Sequence, residues 1–361
     1  MIKFLIGGSP CTHWSIAQSK NRETTAEGMG WELFRNYLIV KKKFKPDFFL
    51  YENNKSASQA IKDQIAEELG VPLQYINSAL VSAQNRQRFY AHNFGNVPQP
   101  EDRRIQLKDI IESGETWLEK SYALTTRCAG AIIPDTLKKH RHTMIGEPII
   151  LNTTASGKAH CLRATCYKDG IRNMVANNVE KRTCVALPVY AEGSEEGAAY
   201  YATPAGSEGK ARKFYKVENG LLHYKGSEYE INLADGFYIF RKLTVTEASR
   251  LQTMPDDYCH AVSDAQAYKG LGNGWTAEVI IHLLSYALAG VPKDEEILVL
   301  SMYDGIGTGR YCFDKLGYKN IKYFAYEIDK YAMQIANNNY EDIIQCGDAF
   351  QVREEDWKVE Q

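Results

Sequence analysis

The chain has 361 residues, 44% of them hydrophobic and 24% charged, with a formal net charge of −2. A length of roughly two to three domains with this composition implies a large packed core and excludes general disorder. No apolar run approaches the ~20 residues of a membrane span, the N-terminal apolar run is too short for a signal peptide, and eight scattered cysteines argue for a reducing, cytoplasmic setting rather than a disulfide scaffold.

In chain order, the apolar run at 4–6 predicts a buried strand ending at Gly7-Gly8, followed by a long polar loop over 9–30. Trp31, Phe34, Leu38 and Ile39 recur at helical spacing up to Lys43. A second strand is expected at 48–51, a helix at 57–69 stopped by Gly70, a third strand at 73–80 and a further strand opening at Gln84. Strand alternating with helix predicts a parallel sheet covered on both faces. From 96 to 240 the runs shorten, the one amphipathic helix expected is 107–112, and 192–209 reads as a mobile loop. Charge concentrates here: residues 120–190 hold eleven Lys and Arg against four Asp and Glu, a local +7 on an otherwise acidic chain. Helices are then expected at 246–252 and 275–288. After a linker at 290–294 come strand 297–302, helix 309–316, strand 322–326, helix 330–338 and strand 343–346. The expected fold is α/β, a doubly wound, mainly parallel sheet interrupted by a strand- and loop-rich insert. Its parts are 1–95, the insert 96–240, and 241–361.

The cofactor signal is Tyr303-Asp304-Gly305-Ile306-Gly307-Thr308-Gly309, between a predicted strand and a predicted helix. Glycines there let the backbone approach a ligand at the carboxyl edge of the sheet, although an ordinary tight turn has the same composition. Two acids sharpen the signal. The next strand ends in Glu327-Ile328, 22 residues beyond Gly305, where a carboxylate can take ribose hydroxyls; the third ends in Gly347-Asp348-Ala349, placed to accept from an adenine amino group. In the other half, Cys11 follows Ser9-Pro10 at a strand end, where a thiolate can act as nucleophile, and an inert buried cysteine is the competing reading. Glu52, closing the second strand, falls at the same edge, and alternation puts Arg86 and Arg88 on one face. Gly272-Asn273-Gly274-Trp275 reads as a helix opening that could bind a polar group. His140, His142, His160, Cys161, Cys166 and Cys184 show no Cys-x-x-Cys pair, so no metal is expected.

Together these residues resemble the DNA cytosine-5 methyltransferases, over nearly everything outside the insert. Gly7-Gly8-Ser9-Pro10-Cys11 resembles the catalytic Pro-Cys motif and Glu52-Asn53-Asn54 the Glu-Asn-Val motif, with Asn for Val. Gln84-x-Arg86-x-Arg88 matches the Gln-x-Arg-x-Arg motif. Arg241-Lys242-Leu243-Thr244 through Pro255-Asp256 resembles the motif closing the recognition region, Gly272-Asn273 the Gly-Asn motif, and Tyr303-Asp304-Gly305-Ile306-Gly307 the Phe-x-Gly-x-Gly motif, with Tyr for Phe. The catalytic motifs here precede the cofactor motif, the reverse of the usual order, so the resemblance implies a circular permutant.

The resemblance further implies S-adenosyl-L-methionine as cofactor, held by Pro10, Asn273, Gly274, Tyr303, Asp304, Gly305, Ile306, Gly307, Thr308, Glu327, Ile328, Asp348 and Ala349. Cys11 would attack C6 of a flipped cytosine, Glu52 would act at N3, and Arg88, with Arg86 behind it, would hold the O2 side. The 9–30 loop is expected to close as a lid. Lys138, Lys139, Arg141, Arg163, Lys181 and Arg182 are expected to grip double-stranded DNA. A monomer in a bacterial or phage-encoded setting is expected, with a cognate restriction endonuclease as a candidate partner. A tRNA-type cytosine-5 methyltransferase, an inactive DNA-binding relative and a nucleotide-binding oxidoreductase are the alternatives.

Overall fold

The computed structural model describes residues 1–15, 22–149, 200–202, 212–224 and 227–359. Contacts divide the chain into two units, Met1–Ile110 with Lys120–Gly130 and Thr244–Gln361, and Ile111–Glu119 with Ala131–Leu243. Residues 96–110 and 120–130, placed in the insert on sequence grounds, thus fall in the first unit. There the Lys120 ammonium donates to the carbonyls of Ala79 (2.8 Å), Ser82 (3.0 Å) and Ile105 (2.6 Å).

The first unit opens with β1 (Ile2–Gly7), whose Phe4, Leu5 and Ile6 are wholly buried, as in a strand covered on both faces. Helix α1 (Gly28–Phe44) buries Trp31, Phe34, Tyr37, Val40 and Phe44 at three- and four-residue spacing. Strand β2 (Phe48–Asn54) runs parallel to β1, with Gly7 opposite Tyr51. Ser58 caps α2 (Gln59–Leu69) by accepting from the Ile61 N–H, and Gly70 ends it in the left-handed conformation. Then come β3 (Leu73–Asn77), β4 (Gln84–Asn85), β5 (Gln87–His92) and β6 (Ser121–Tyr122). Strand β3 stops short of residue 80 because the Asn77 side chain caps a 3-10 turn, Ser78–Leu80. The helix expected over 107–112 is a single 3-10 turn, Leu107–Asp109.

In the second unit, α3 (Ile133–Leu137) precedes β7 (Met144–Ile149), β8 (Tyr200–Ala202), β9 (Arg212–Glu218), β10 (Leu221–Tyr224), β11 (Ser227–Glu230) and β12 (Gly236–Lys242). These strands form an antiparallel sheet in the order β11–β10–β9–β12–β7, with β8 on β9, around Ile133, Met144, Val217, Leu222, Ile231, Leu233 and Tyr238. Of the span 192–209, expected to be a mobile loop, only Tyr200–Ala202 lies within the described residues.

The chain returns to the first unit through α4 (Val245–Leu251), α5 (Asp264–Asn273) and α6 (Ala277–Ala287). It ends with β13 (Ile297–Met302), α7 (Thr308–Lys315), β14 (Ile321–Tyr326), α8 (Lys330–Asn339), β15 (Ile343–Gly347) and a 3-10 helix, Ala349–Arg353. The sheet order is β15–β14–β13–β1–β2–β5–β3. The last strands of the chain therefore stand beside its first, Ile297 pairing with Ile2. From β15 to β2 all neighbours are parallel, whereas β5 is antiparallel to both β2 and β3. The architecture is mixed α/β with a mainly parallel sheet, and β3 is separated from β2 by an antiparallel strand that the alternating pattern did not foretell.

Candidate active site

At the carboxyl edge of the sheet, β1 leaves between its neighbours through two glycines. A Cβ on Gly7 would meet the Met302 carbonyl oxygen at 2.5 Å, and one on Gly8 the Glu52 carbonyl oxygen at 2.5 Å. Close approach of three strand ends thus requires glycine at both positions. The turn that follows is fixed by Asn53, whose amide donates to the Ser9 carbonyl (2.9 Å) and the Tyr51 hydroxyl (3.1 Å), while the Ser9 and Tyr51 hydroxyls share a 2.7 Å hydrogen bond. Cys11 then opens a short 3-10 turn, Cys11–His13.

In the 9–30 segment expected to form a lid, residues 16–21 lie outside the described residues. The flanking residues are fastened. Trp14 is wholly buried with its ring centroid 6.5 Å from that of Trp31, the Glu23 N–H donates to the His13 carbonyl (2.9 Å), and the Glu23 carboxylate takes the Trp14 indole (3.2 Å) and the Gly30 N–H (3.0 Å).

A cavity of about 370 Å³ opens at this edge. One side is formed by Pro10, Thr12, Glu52, Arg88 and Trp275. The Glu52 side chain is 12% exposed and its carboxylate is held at both oxygens, by the Arg88 Nε at 2.9 Å and the Trp275 indole N–H at 3.1 Å. Arg86 also lines the cavity, yet its guanidinium donates to the carbonyls of Leu124 (2.9 Å), Gly272 (3.2 Å) and Gly274 (2.8 Å). Arg86 and Arg88, expected on one face by alternation, both line this cavity, with Arg86 just preceding β5 rather than lying within it. The chain changes partner between them, β4 pairing with β6 and β5 with β2.

Asn273 and Gly274 line the cavity from the C-terminal end of α5, rather than from the helix opening expected there. The helix was illegible because glycines at 270 and 272 disfavour it. Tertiary contact demands them: a Cβ on Gly270 would meet Ile306 Cγ2 at 2.7 Å, and one on Gly272 the Thr125 carbonyl carbon at 2.4 Å.

The opposite side is formed by Tyr303, Asp304, Gly305, Thr308, Glu327, Ile328, Asp348 and Ala349. Tyr303 (φ 60°), Gly305 (φ 67°) and Gly307 (φ 79°) all adopt the left-handed conformation that folds the strand end back into α7. A Cβ on Gly305 would meet nothing within 4 Å, so this turn faces open space. Glu327 accepts the Gly305 N–H at 2.9 Å and, through its other oxygen, the N–H groups of Ile328 (2.7 Å) and Asp329 (2.8 Å). Asp348 caps its own turn through the Phe350 N–H (2.9 Å), and Ile328 is 72% exposed. Burial pushes the Asp304 carboxyl up to about 6, against the hydrogen bond from the Tyr323 hydroxyl at 2.6 Å. Ile306 and Gly307 lie behind the turn, Ile306 buried and Gly307 packed within 3.1 Å of Ala336 as a Cβ would sit. The Trp275 contact with Glu52 was missed in sequence because nothing local signals a partner 223 residues away.

In the second unit, Asp135 gathers the cations expected to hold DNA. Its carboxylate lies 3.1 Å from Lys139 Nζ and 3.1 Å from the Arg141 guanidinium, and Lys138 Nζ sits 5.3 Å from the Tyr229 ring centroid. Burial raises the Asp135 carboxyl, but the two cations outweigh it and hold it below its ordinary value. Arg163, Lys181 and Arg182, like His160, Cys161, Cys166 and Cys184, lie outside the described residues. Among the described residues, no group of three metal-ligating side chains is placed to hold a metal, and no helix is long and apolar enough to cross a membrane.

Comparison with known proteins places these residues in context. The chain is 26% identical over 298 residues to the type II methyltransferase M.SsoII of Shigella sonnei, covering 77% of this chain and 62% of that protein. It is 28% identical over 295 residues to the type II methyltransferase M.HpaII of Haemophilus parainfluenzae, covering 74% of this chain and 67% of the relative. The chain therefore spans about two thirds of the length of these relatives. A profile of the C-5 cytosine-specific DNA methylases matches residues 1–286, taking in the Pro-Cys turn, Glu52, the paired arginines and the Gly272-Asn273 turn. With most of its length matched, the chain belongs to the C-5 cytosine-specific DNA methylase family.

Proposed function

We propose that the protein transfers a methyl group from S-adenosyl-L-methionine to C5 of a cytosine in double-stranded DNA through a covalent adduct at Cys11. The observation that carries this reading is the single cavity joining the Pro10, Glu52 and Arg88 side to the Tyr303–Gly305, Glu327 and Asp348 side. The cofactor side fits an adenosyl sulfonium. It has a glycine turn open to the cavity, carboxylates at two successive strand ends with acceptor capacity left for hydroxyl and amino groups, and an exposed apolar Ile328. When bound, S-adenosylmethionine supplies an electrophilic methyl group.

This chain's residues do the rest. The Cys11 thiolate adds to C6, forming a C–S bond and pushing the C5–C6 electron pair toward C5 while Glu52 stabilises or protonates N3. Arg88, turned from Glu52 to the pyrimidine O2, orients the ring, and the Trp275 N–H keeps one Glu52 oxygen engaged so that the other faces N3. Once C5 carries the methyl group, a water removes the C5 proton, the double bond re-forms and the Cys11 thiolate leaves. Arg86, by holding the carbonyls of Gly272 and Gly274, positions the turn that carries Trp275. Lys138, Lys139 and Arg141 contribute phosphate contacts. The motif order together with β13 lying between β14 and β1 supports a circularly permuted catalytic core.

The test is transfer of labelled methyl groups to duplex DNA and to tRNA. Duplex DNA is expected to be methylated. Glu52→Gln should lose turnover by about 100-fold or more while binding S-adenosylhomocysteine normally, since it acts on the transition state. Transfer to tRNA alone would overturn the proposal.

A further inference from the structure

The hydroxyl that sets Tyr303 apart from the phenylalanine of the family motif is built into a chain of hydrogen bonds. It donates to the Leu33 carbonyl in α1 at 2.8 Å and accepts from the Asn36 amide at 3.2 Å. Asn36 is wholly buried in the middle of a helix, where an amide without partners is costly. Its oxygen is taken by Arg353 Nε at 2.6 Å. The same guanidinium reaches the Glu32 carbonyl (3.0 Å) and carboxylate (2.8 Å) and lies 4.8 Å from the Phe350 ring centroid. Tyr303 and Phe350 both line the cavity.

We propose that Asn36 and Arg353 are positioning residues for the cofactor: they fix the Tyr303 ring through its hydroxyl, and the Arg353 fork sets the turn carrying Phe350 against the same helix. The inference rests on reading this cavity as the S-adenosylmethionine site. Neither residue touches the cavity space itself; each acts through a ring that does. A purely structural role would lower stability without depending on the Tyr303 hydroxyl. A positioning role makes the effects of Arg353 and of that hydroxyl on affinity overlap.

Calorimetric titration of the whole chain with S-adenosylhomocysteine distinguishes the two. Tyr303→Phe and Arg353→Met should each weaken binding by about fivefold to tenfold, and the double variant should be no weaker than the poorer single variant. Arg353→Lys keeps the charge but cannot span Asn36 and Glu32 together, so it should bind as weakly as Arg353→Met. Losses that multiply in the double variant, or full affinity in Arg353→Lys, would overturn the inference. Failure of the wild-type chain to bind S-adenosylhomocysteine would instead overturn the reading of the cavity, and the inference with it.

Discussion

Two carboxylates at the sheet edge occupy opposite surroundings. Glu52 accepts hydrogen bonds from Arg88 and Trp275, whereas the Asp304 carboxyl, half-buried at the cavity wall, is supported at one oxygen by the Tyr323 hydroxyl and is pushed up to about 6 by desolvation. A carboxyl whose pKa is higher in the fold than in the unfolded chain destabilises the fold when it ionises. That penalty is absent below the unfolded value and grows as pH rises through about 6. Asp304→Asn removes the charge and keeps an acceptor for Tyr323. In the absence of cofactor, the variant should be more stable than wild type at pH 8, by up to about 3 kcal/mol. The difference should close as the pH falls toward 4, and urea unfolding at several pH values measures it. A difference that does not change with pH would contradict the account of Asp304.

Helix α5 shows where local preference and packing part. Helix propensity alone would make Gly272→Ala stabilising by about 1 kcal/mol. A Cβ there would instead press on the Thr125 carbonyl carbon at 2.4 Å and the Thr126 nitrogen at 2.6 Å, backbone atoms that cannot swing aside. Gly272→Ala should therefore lose about 1–3 kcal/mol, seen as a lower melting temperature, and should disturb the carbonyl that Arg86 holds. A higher melting temperature would contradict this. The same contacts explain what was legible. The apolar runs of β1, β2, β13 and β14 and the helices between them could be read from periodicity, because burial on both faces leaves a local pattern. Strand ends in register were then enough to bring Pro10 and Glu52 round one cavity. The direction of β5, the change of strand partner at Arg86 and the glycines of α5 could not be read, since each is decided by a segment distant in sequence. The roles proposed for Cys11, Glu52 and Tyr303 rest on motif resemblance; spacing alone leaves a structural glycine turn and an inert cysteine open.

At the scale of the whole molecule, the chain enters and leaves the sheet region near one place. The Lys3 ammonium lies 5.4 Å from the Phe44 ring centroid, and the adjacent Lys43 ammonium lies 5.6 Å from the Trp357 ring centroid while donating to the Glu354 carbonyl at 2.7 Å. Both ends thus meet the C-terminal end of α1. Gly290, between α6 and β13, has nothing within 4 Å of a Cβ position. A chain rearranged to begin at Gly290, joined from its present end to Met1 through a short Gly/Ser linker and ending at Ala289, should fold and methylate the same sequence context, because closing a short flexible loop costs little. A chain cut between Phe49 and Leu50 should not fold, since the cut divides a buried strand. A folded but inactive rearranged protein would contradict the permuted reading. The covalent step at Cys11 is tested most directly with duplex DNA carrying 5-fluorocytosine, in which the fluorine at C5 cannot leave as a proton and elimination of the thiolate is blocked. With S-adenosylmethionine present, the wild-type chain should form a protein–DNA band that survives denaturation, and Cys11→Ala should form none. An adduct formed equally well by Cys11→Ala, or no adduct from a wild-type chain that binds S-adenosylhomocysteine, would contradict the proposed chemistry.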